Sequence, residues 1–229
     1  MEYLHDAHVA NVVTSYATLL AGIMPVIYCL ITRNQPGRWV LVYVCVIVTA
    51  IPTIIHHQDP RVAFWTSTDV ASNILLAWAI QVAVSGDFLP PEKRRTFLAS
   101  TTLINSGVLA WLTYEAVSGA KTPVVRFGGF GEFYVGEAAL IINCWVAAGL
   151  FFKSYRRIPP QARPFLLLVF CTFLVGMGLA TAGDAQISNR FFAWHATWHI
   201  LGAFGFMTLW VFNHLRFSQC PDRSNHVDA

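Results

Sequence analysis

Seven runs of mostly apolar residues, most of them near the 20 that a helix needs to cross bilayer hydrocarbon, divide this chain of 229. They are approximately Val9–Ile31, Trp39–Ile55, Thr66–Val84, Phe97–Val117, Phe133–Phe152, Pro164–Ala182 and Phe191–Leu215. The breaks between them carry turn chemistry: "RNQPGR", "HHQDPR", "SGDFLPPEKRR", "GAKTPVVRFGGFGE", "KSYRRIPPQAR" and "GDAQISNR". Charged residues make up only 12% of the chain and hydrophobic residues 55%. A soluble domain carries about a quarter charged residues, so the apolar excess here must face lipid. The expectation is an all-α integral membrane protein, a seven-transmembrane helix bundle. The linkers are short and no fixed-period repeat is visible, so residues 1–229 read as one domain with a short tail over about 216–229.

Lys and Arg placement sets orientation. Eleven of them (Arg33, Arg38, Lys93, Arg94, Arg95, Lys153, Arg156, Arg157, Arg163, Arg216 and Arg223) fall on one side, and four (Arg61, Lys121, Arg126 and Arg190) on the other. This bias places the N-terminus outside or lumenal and the C-terminus in the cytosol, in a plasma or secretory-pathway membrane. The first run is preceded by Glu2 and Asp6 rather than a basic stretch and is too long for a signal h-region, so it reads as a retained helix. Cys29, Cys45, Cys144 and Cys171 lie inside apolar runs and read as packing residues. Cys220 is juxtamembrane, where palmitoylation is chemically feasible. A net charge of +3 without a basic cluster interleaved with aromatics excludes nucleic acid as a partner.

Within this lipid-facing sequence, "FFAWHATWHILGAFG" places His195 and His199 four residues apart, on one helix face. Ionisable groups inside a membrane helix are costly and rare. At 1.5 Å per residue both lie about one to two turns into the seventh helix. His56 and His57 end the second helix and Asp69 lies near the start of the third, so the topology brings these helix ends to one level of the bilayer. Three neutral imidazoles and a water make a tetrahedral Zn²⁺ site with an open position. Zinc would lower the pKa of that water toward about 7, and Asp69 would hold the water and move its proton. Read without a metal, the same residues are interfacial: Trp194 and Trp198 are ordinary membrane-edge anchors and the histidines beside them are hydrated.

Other polar residues give weaker signals. Glu115, Glu137, Asn143 and Asp184 read as cavity-lining, interfacial or hydrogen-bonded between helices. Asn11, Ser15 and Asn73 read as interhelical hydrogen-bond residues, and Gly176 and Gly178 as points of close helix approach. "GGFG" at 128–131 lacks the helix and Lys of a phosphate cradle, and no nucleophile elbow is present.

Four stretches together carry a family likeness: "IPTIIHHQDP", "STDVASN", "SGDFLPPEKRRTF" and "WHATWHILGAFG". His at the end of helix 2, Asp early in helix 3 and HxxxH in helix 7 resemble the CREST superfamily of alkaline ceramidases, adiponectin-type receptors and GPI-processing hydrolases. The likeness is closest to the branch holding myomaker and the post-GPI-attachment phospholipase. The resemblance implies zinc ligands at His56, His195 and His199, with the His-x-x-Asp spacing of that branch falling on His56 and Asp59. The superfamily often has Ser four residues before the helix 2 His. Pro52 stands there if His56 is the ligand, whereas His57 as the alternative ligand places Thr53 in that role.

The expected function is a zinc-dependent membrane hydrolase acting on a lipid acyl ester or amide near the outer leaflet, with Asp69 and Thr53 at the reaction centre. The alternative, of a different class, is a myomaker-like membrane-remodelling or cell-fusion protein whose zinc is structural. A retinal receptor is disfavoured because helix 7 has no Lys for a Schiff base. The expected cofactor is Zn²⁺ and the expected partner a membrane lipid; self-association into a homo-oligomer stays open.

Overall fold

The apolar runs fold as α-helices whose ends follow the turn chemistry between them. In the computed structural model, residues 2–59, 61–119, 124–126, 132–184 and 194–218 are described. Among them are seven α-helices: α1 Glu2–Thr32, α2 Gly37–Gln58, α3 Ala63–Phe88, α4 Pro91–Ser118, α5 Val135–Lys153, α6 Arg163–Asp184 and α7 Trp194–Phe217. One short antiparallel pair, β1 Val124–Arg126 with β2 Glu132–Tyr134, lies in the linker before α5, with Val125 opposite Phe133. The "GGFG" stretch, Lys121, Arg190, Arg223, Cys220 and the first residues of the seventh predicted run, 191–193, lie outside the described residues.

Several helix ends have an identifiable cause. Arg33 stops α1 in the left-handed region at φ 49°, its N–H reaching back 2.8 Å to the Cys29 carbonyl. Gly119 closes α4 at φ 65°, a conformation that costs glycine nothing. Pro91 begins α4 at a position where the missing N–H is not needed. Glu137 accepts the Tyr134 N–H at 2.9 Å and so caps α5.

Among the described residues, four helices are long and apolar enough to cross a membrane by length and composition: Val9–Thr32 of α1, and α2, α3 and α5. α6 contributes a shorter apolar stretch, Arg163–Leu179. The apolar run of α7 is diluted by His195, His199, Asn213, His214 and Arg216. On α1 the residues Val9, Val13, Tyr16, Leu20, Met24, Ile27 and Ile31 are all exposed. Their spacing of three and four makes one continuous apolar stripe, larger than a water-soluble monomer leaves bare.

The chain divides into two units. The first comprises residues 1–50 and 155–229, and within it α1 and α6 both pack on α7. Close approach is possible where side chains vanish. A Cβ on Gly22 would stand 2.7 Å from Ile47 and 3.0 Å from the Tyr43 carbonyl, and one on Gly176 would stand 2.5 Å from the Trp198 ring. Gly178 faces open space instead, so only Gly176 of that pair serves helix contact.

The second unit comprises residues 51–154, where α4 and α5 pack on α3. Its interior is tied by amides. Gln81 donates to Asn143 Oδ1 at 2.6 Å, and Asn143 donates to Asn105 Oδ1 at 2.8 Å. Asn143 therefore joins helices rather than lining a cavity. Glu115 is buried and accepts the indole N–H of Trp111 one turn before it.

Candidate metal centre

The second helix carries the first component. Trp39, Tyr43, Val46, Ala50, Ile54 and His57 are all buried, a stripe at spacings of three and four along α2. His57 extends that stripe by one step, while His56, about 100° further round, falls outside it. His56 is half-buried and its Nδ1 lies 3.2 Å from Thr66 Oγ1. Asp59, the partner that made His56 the preferred ligand, accepts instead from Arg61 Nε at 3.2 Å. Arg61 is largely exposed and Asp59 about half so, and an ion pair in that setting contributes little.

One turn before His57, on the same face, Thr53 donates its hydroxyl proton to Asp69 Oδ1. Asn73 Nδ2 reaches the same carboxylate oxygen at 3.3 Å and the Asp69 carbonyl at 3.0 Å. Asn73 thus bonds within its own helix, to the residue one turn earlier, rather than across helices. Asp69 itself is half-buried.

The seventh helix carries the other component. The His195 and His199 rings meet edge to face, with centroids 4.9 Å apart. Trp198 fills the groove that Gly176 leaves open and packs on Phe173. His199 is buried. Its Nδ1 lies 3.1 Å from Thr14 Oγ1, 3.1 Å from Ser15 Oγ and 3.2 Å from the Asn11 carbonyl, all on α1.

His195 and His199 offer their ring nitrogens on one face of α7, and on α2, in the other unit, His57 is buried. Imidazoles paired in this way on one helix face can supply two ligands to a metal ion. Neutral imidazole is the commonest protein ligand for first-row divalent metals. The structure keeps the sequence-predicted pair on one face of α7, and along α2 it buries His57 and leaves the preferred His56 half-buried. Adjacent helical residues cannot share a face, so only one of the two joins the buried stripe of α2.

The sequence reading did not single out Thr14, and it gave Asn11 and Ser15 only as interhelical hydrogen-bond residues, without naming the histidine they meet. The available signal was their spacing. Asn11, Thr14 and Ser15 stand at i, i+3 and i+4, a polar strip within the mostly apolar run Val9–Ile31. Compared with protein-family models, with curated proteins and with solved structures, the chain matches none.

Proposed function

We propose that the chain is a zinc-dependent integral membrane lipid hydrolase that cleaves an acyl ester or amide. In this reading all seven helices span the bilayer, with the N-terminus outside. The observation that carries it is the pair of imidazoles on one face of α7, the His195 and His199 rings 4.9 Å apart. In this reading a third imidazole, His57 at the end of α2, completes the donor set of a catalytic zinc site that keeps one position open. The resemblance to the CREST superfamily supports the same reading, with His57 replacing His56 as the helix 2 ligand and Thr53 in the place of the family's Ser.

Zinc held there would supply Lewis acidity and lower the pKa of water. The chain's own residues do the rest. Thr53 and Asn73 fix Asp69 through Oδ1. So held, Asp69 orients a water and takes its proton as the water attacks the carbonyl carbon, then returns it to the leaving group. In this reading lipid enters laterally from the outer leaflet, the side on which the Lys and Arg bias would put these helix ends.

A paired measurement tests this. Purified wild type should hold about one zinc per chain by elemental analysis. Asp69→Asn should keep that zinc while lipid turnover in expressing cells falls roughly 10²-fold, the scale of lost acid–base assistance. If the lipid profile is the same in wild type, Asp69→Asn and empty-vector cells while zinc is retained, the hydrolase reading fails. The myomaker-like reading, with a structural zinc, then takes its place. Folded wild type that contains no metal ends both.

A further inference from the structure

The proton inventory around His199 allows a step beyond the ligand set. Three oxygens surround its Nδ1: Thr14 Oγ1, Ser15 Oγ and the Asn11 carbonyl. The carbonyl can only accept. The Thr14 hydroxyl lies 2.7 Å from the Ala10 carbonyl, and the Ser15 hydroxyl 2.7 Å from the Asn11 carbonyl. Each hydroxyl has one proton, and the 2.7 Å contacts to these carbonyls, shorter than the 3.1 Å contacts to Nδ1, favour placing it there, the usual bond of Ser and Thr within a helix. Toward His199 both hydroxyls therefore present lone pairs. An Nδ1 lone pair in this setting would face three acceptors with no hydrogen among them, and a buried arrangement of that kind is strongly disfavoured.

We infer that Asn11, Thr14 and Ser15 are positioning residues that lock His199 as the Nδ1–H tautomer and so reserve Nε2 for the metal. This rests on the metal reading proposed above and deepens it. Free imidazole side chains favour the opposite tautomer, with the proton on Nε2. A ligand histidine left to itself must exchange tautomers before it can coordinate through Nε2. Here α1 has made that choice before any metal arrives. Metal-binding histidines commonly donate their second N–H to a carbonyl or carboxylate, which orients the ring and raises its basicity. In this chain a carbonyl and two hydroxyl oxygens share the task. The polar strip of α1 thereby becomes part of the centre although α1 carries none of the proposed ligand histidines.

Two measurements test the inference in the full chain, in lipid nanodiscs. The first needs no metal. Protein labelled with ¹⁵N-histidine and freed of metal with chelator should show His199 protonated at Nδ1 and bare at Nε2, assigned by loss of the signal in His199→Gln. An Nε2–H tautomer overturns the inference whatever the metal content. The second is a zinc titration against a competing chelator. Thr14→Val/Ser15→Ala leaves only the Asn11 carbonyl and should weaken zinc binding about tenfold, the low end of the range for lost outer-shell partners. Full occupancy should return at excess zinc, and Ser15→Thr, which keeps the hydroxyl, should bind like wild type. An unchanged affinity in the double variant removes the positioning role of the hydroxyls. If wild type takes up no zinc at all, the metal reading fails, and the tautomer measurement still decides whether α1 locks the ring.

Discussion

His199 and His214 lie on the same helix, fifteen residues or about 22 Å of rise apart, and both meet residues from α1 or its exit. At His199 the Nδ1 is surrounded by oxygens whose protons are already committed. At His214 the Nδ1 lies 3.0 Å from the Asn34 side-chain nitrogen and 3.3 Å from the Tyr28 hydroxyl. An amide nitrogen can only donate. His214 must therefore present a lone pair at Nδ1 and carry its proton on Nε2. The same residue type on one helix is set to opposite tautomers by its neighbours. Around His214 the surroundings are those of a helix end, with Tyr28 and Trp210 packed edge to face beside it. The lesson is that a histidine's role in such a bundle is read from the donors and acceptors it meets, and its spacing in the sequence is only the first filter.

The end that holds His214 also buries charge. Arg216 donates to Asn213 Oδ1 at 2.8 Å, Asn213 donates to the Tyr43 hydroxyl at 3.0 Å, and Tyr43 donates to Gln35 Oε1 at 3.0 Å. The guanidinium lies over the rings of Phe217, Phe212 and Trp39 at 4.4 to 5.3 Å. This relay ties α2 to α7 as a structural clamp, whereas the opposite end of α7 carries the proposed ligand pair, His195 and His199.

The sharpest way to break this contrast is to delete each histidine. His199→Ala should lower zinc from about one per chain to near none, because two protein ligands hold zinc poorly. His214→Ala should leave the zinc content as in wild type; a loss there would show that the two ends are not separate in function. Next in size is Tyr43→Phe, which strands Gln35 Oε1 and Asn213 Nδ2 in a buried setting. At about 1–3 kcal/mol for each unmatched group, detergent melts should show a clear drop in Tm with zinc retained. Gly176→Ala tests the other end through packing. Its Cβ would sit 2.5 Å from the Trp198 ring, and overpacking of this kind costs about 1–3 kcal/mol. Displacing Trp198 should also weaken zinc binding at the adjacent His199, while Gly178→Ala, in open space, should alter neither property. The smallest effect is expected from Asn34→Ala, which removes one donor from a part-buried ring and should cost about 1 kcal/mol without changing zinc.

The helices were legible because lipid demands long apolar runs, and the predicted Trp39–Ile55 and Thr66–Val84 fall inside α2 and α3. The helices extend a turn or so further at each end, since hydropathy marks the apolar stretch and says nothing of the helical turns beyond it. The β1–β2 pair was not foreseen; strands of three residues are too short for alternation to register. At the site, the i,i+4 spacing of His195 and His199 identified a shared face directly. The choice between His56 and His57 was not decidable that way. Both faces of α2 are apolar, with Leu41, Val44, Val48 and Ile51 exposed on one and Tyr43, Val46 and Ala50 buried on the other. Only packing says which is turned inward. Likewise Thr14 looked like any hydroxyl in a membrane helix until the ring it faces was placed.

One member of the shell around His199 is a main-chain carbonyl, that of Asn11. No point substitution deletes a main-chain oxygen. Selection therefore acts on position 11 chiefly through helix geometry, and the residue there can drift as long as α1 stays helical and keeps its distance from α7. Positions 14 and 15 can also exchange one hydroxyl for another, or share the burden unequally, before the ring loses every acceptor. A centre supported in this way can persist through long divergence while the letters around it change, so its lineage would be traced more reliably by the placement of a few histidines and one carboxylate than by a conserved local motif on the first helix.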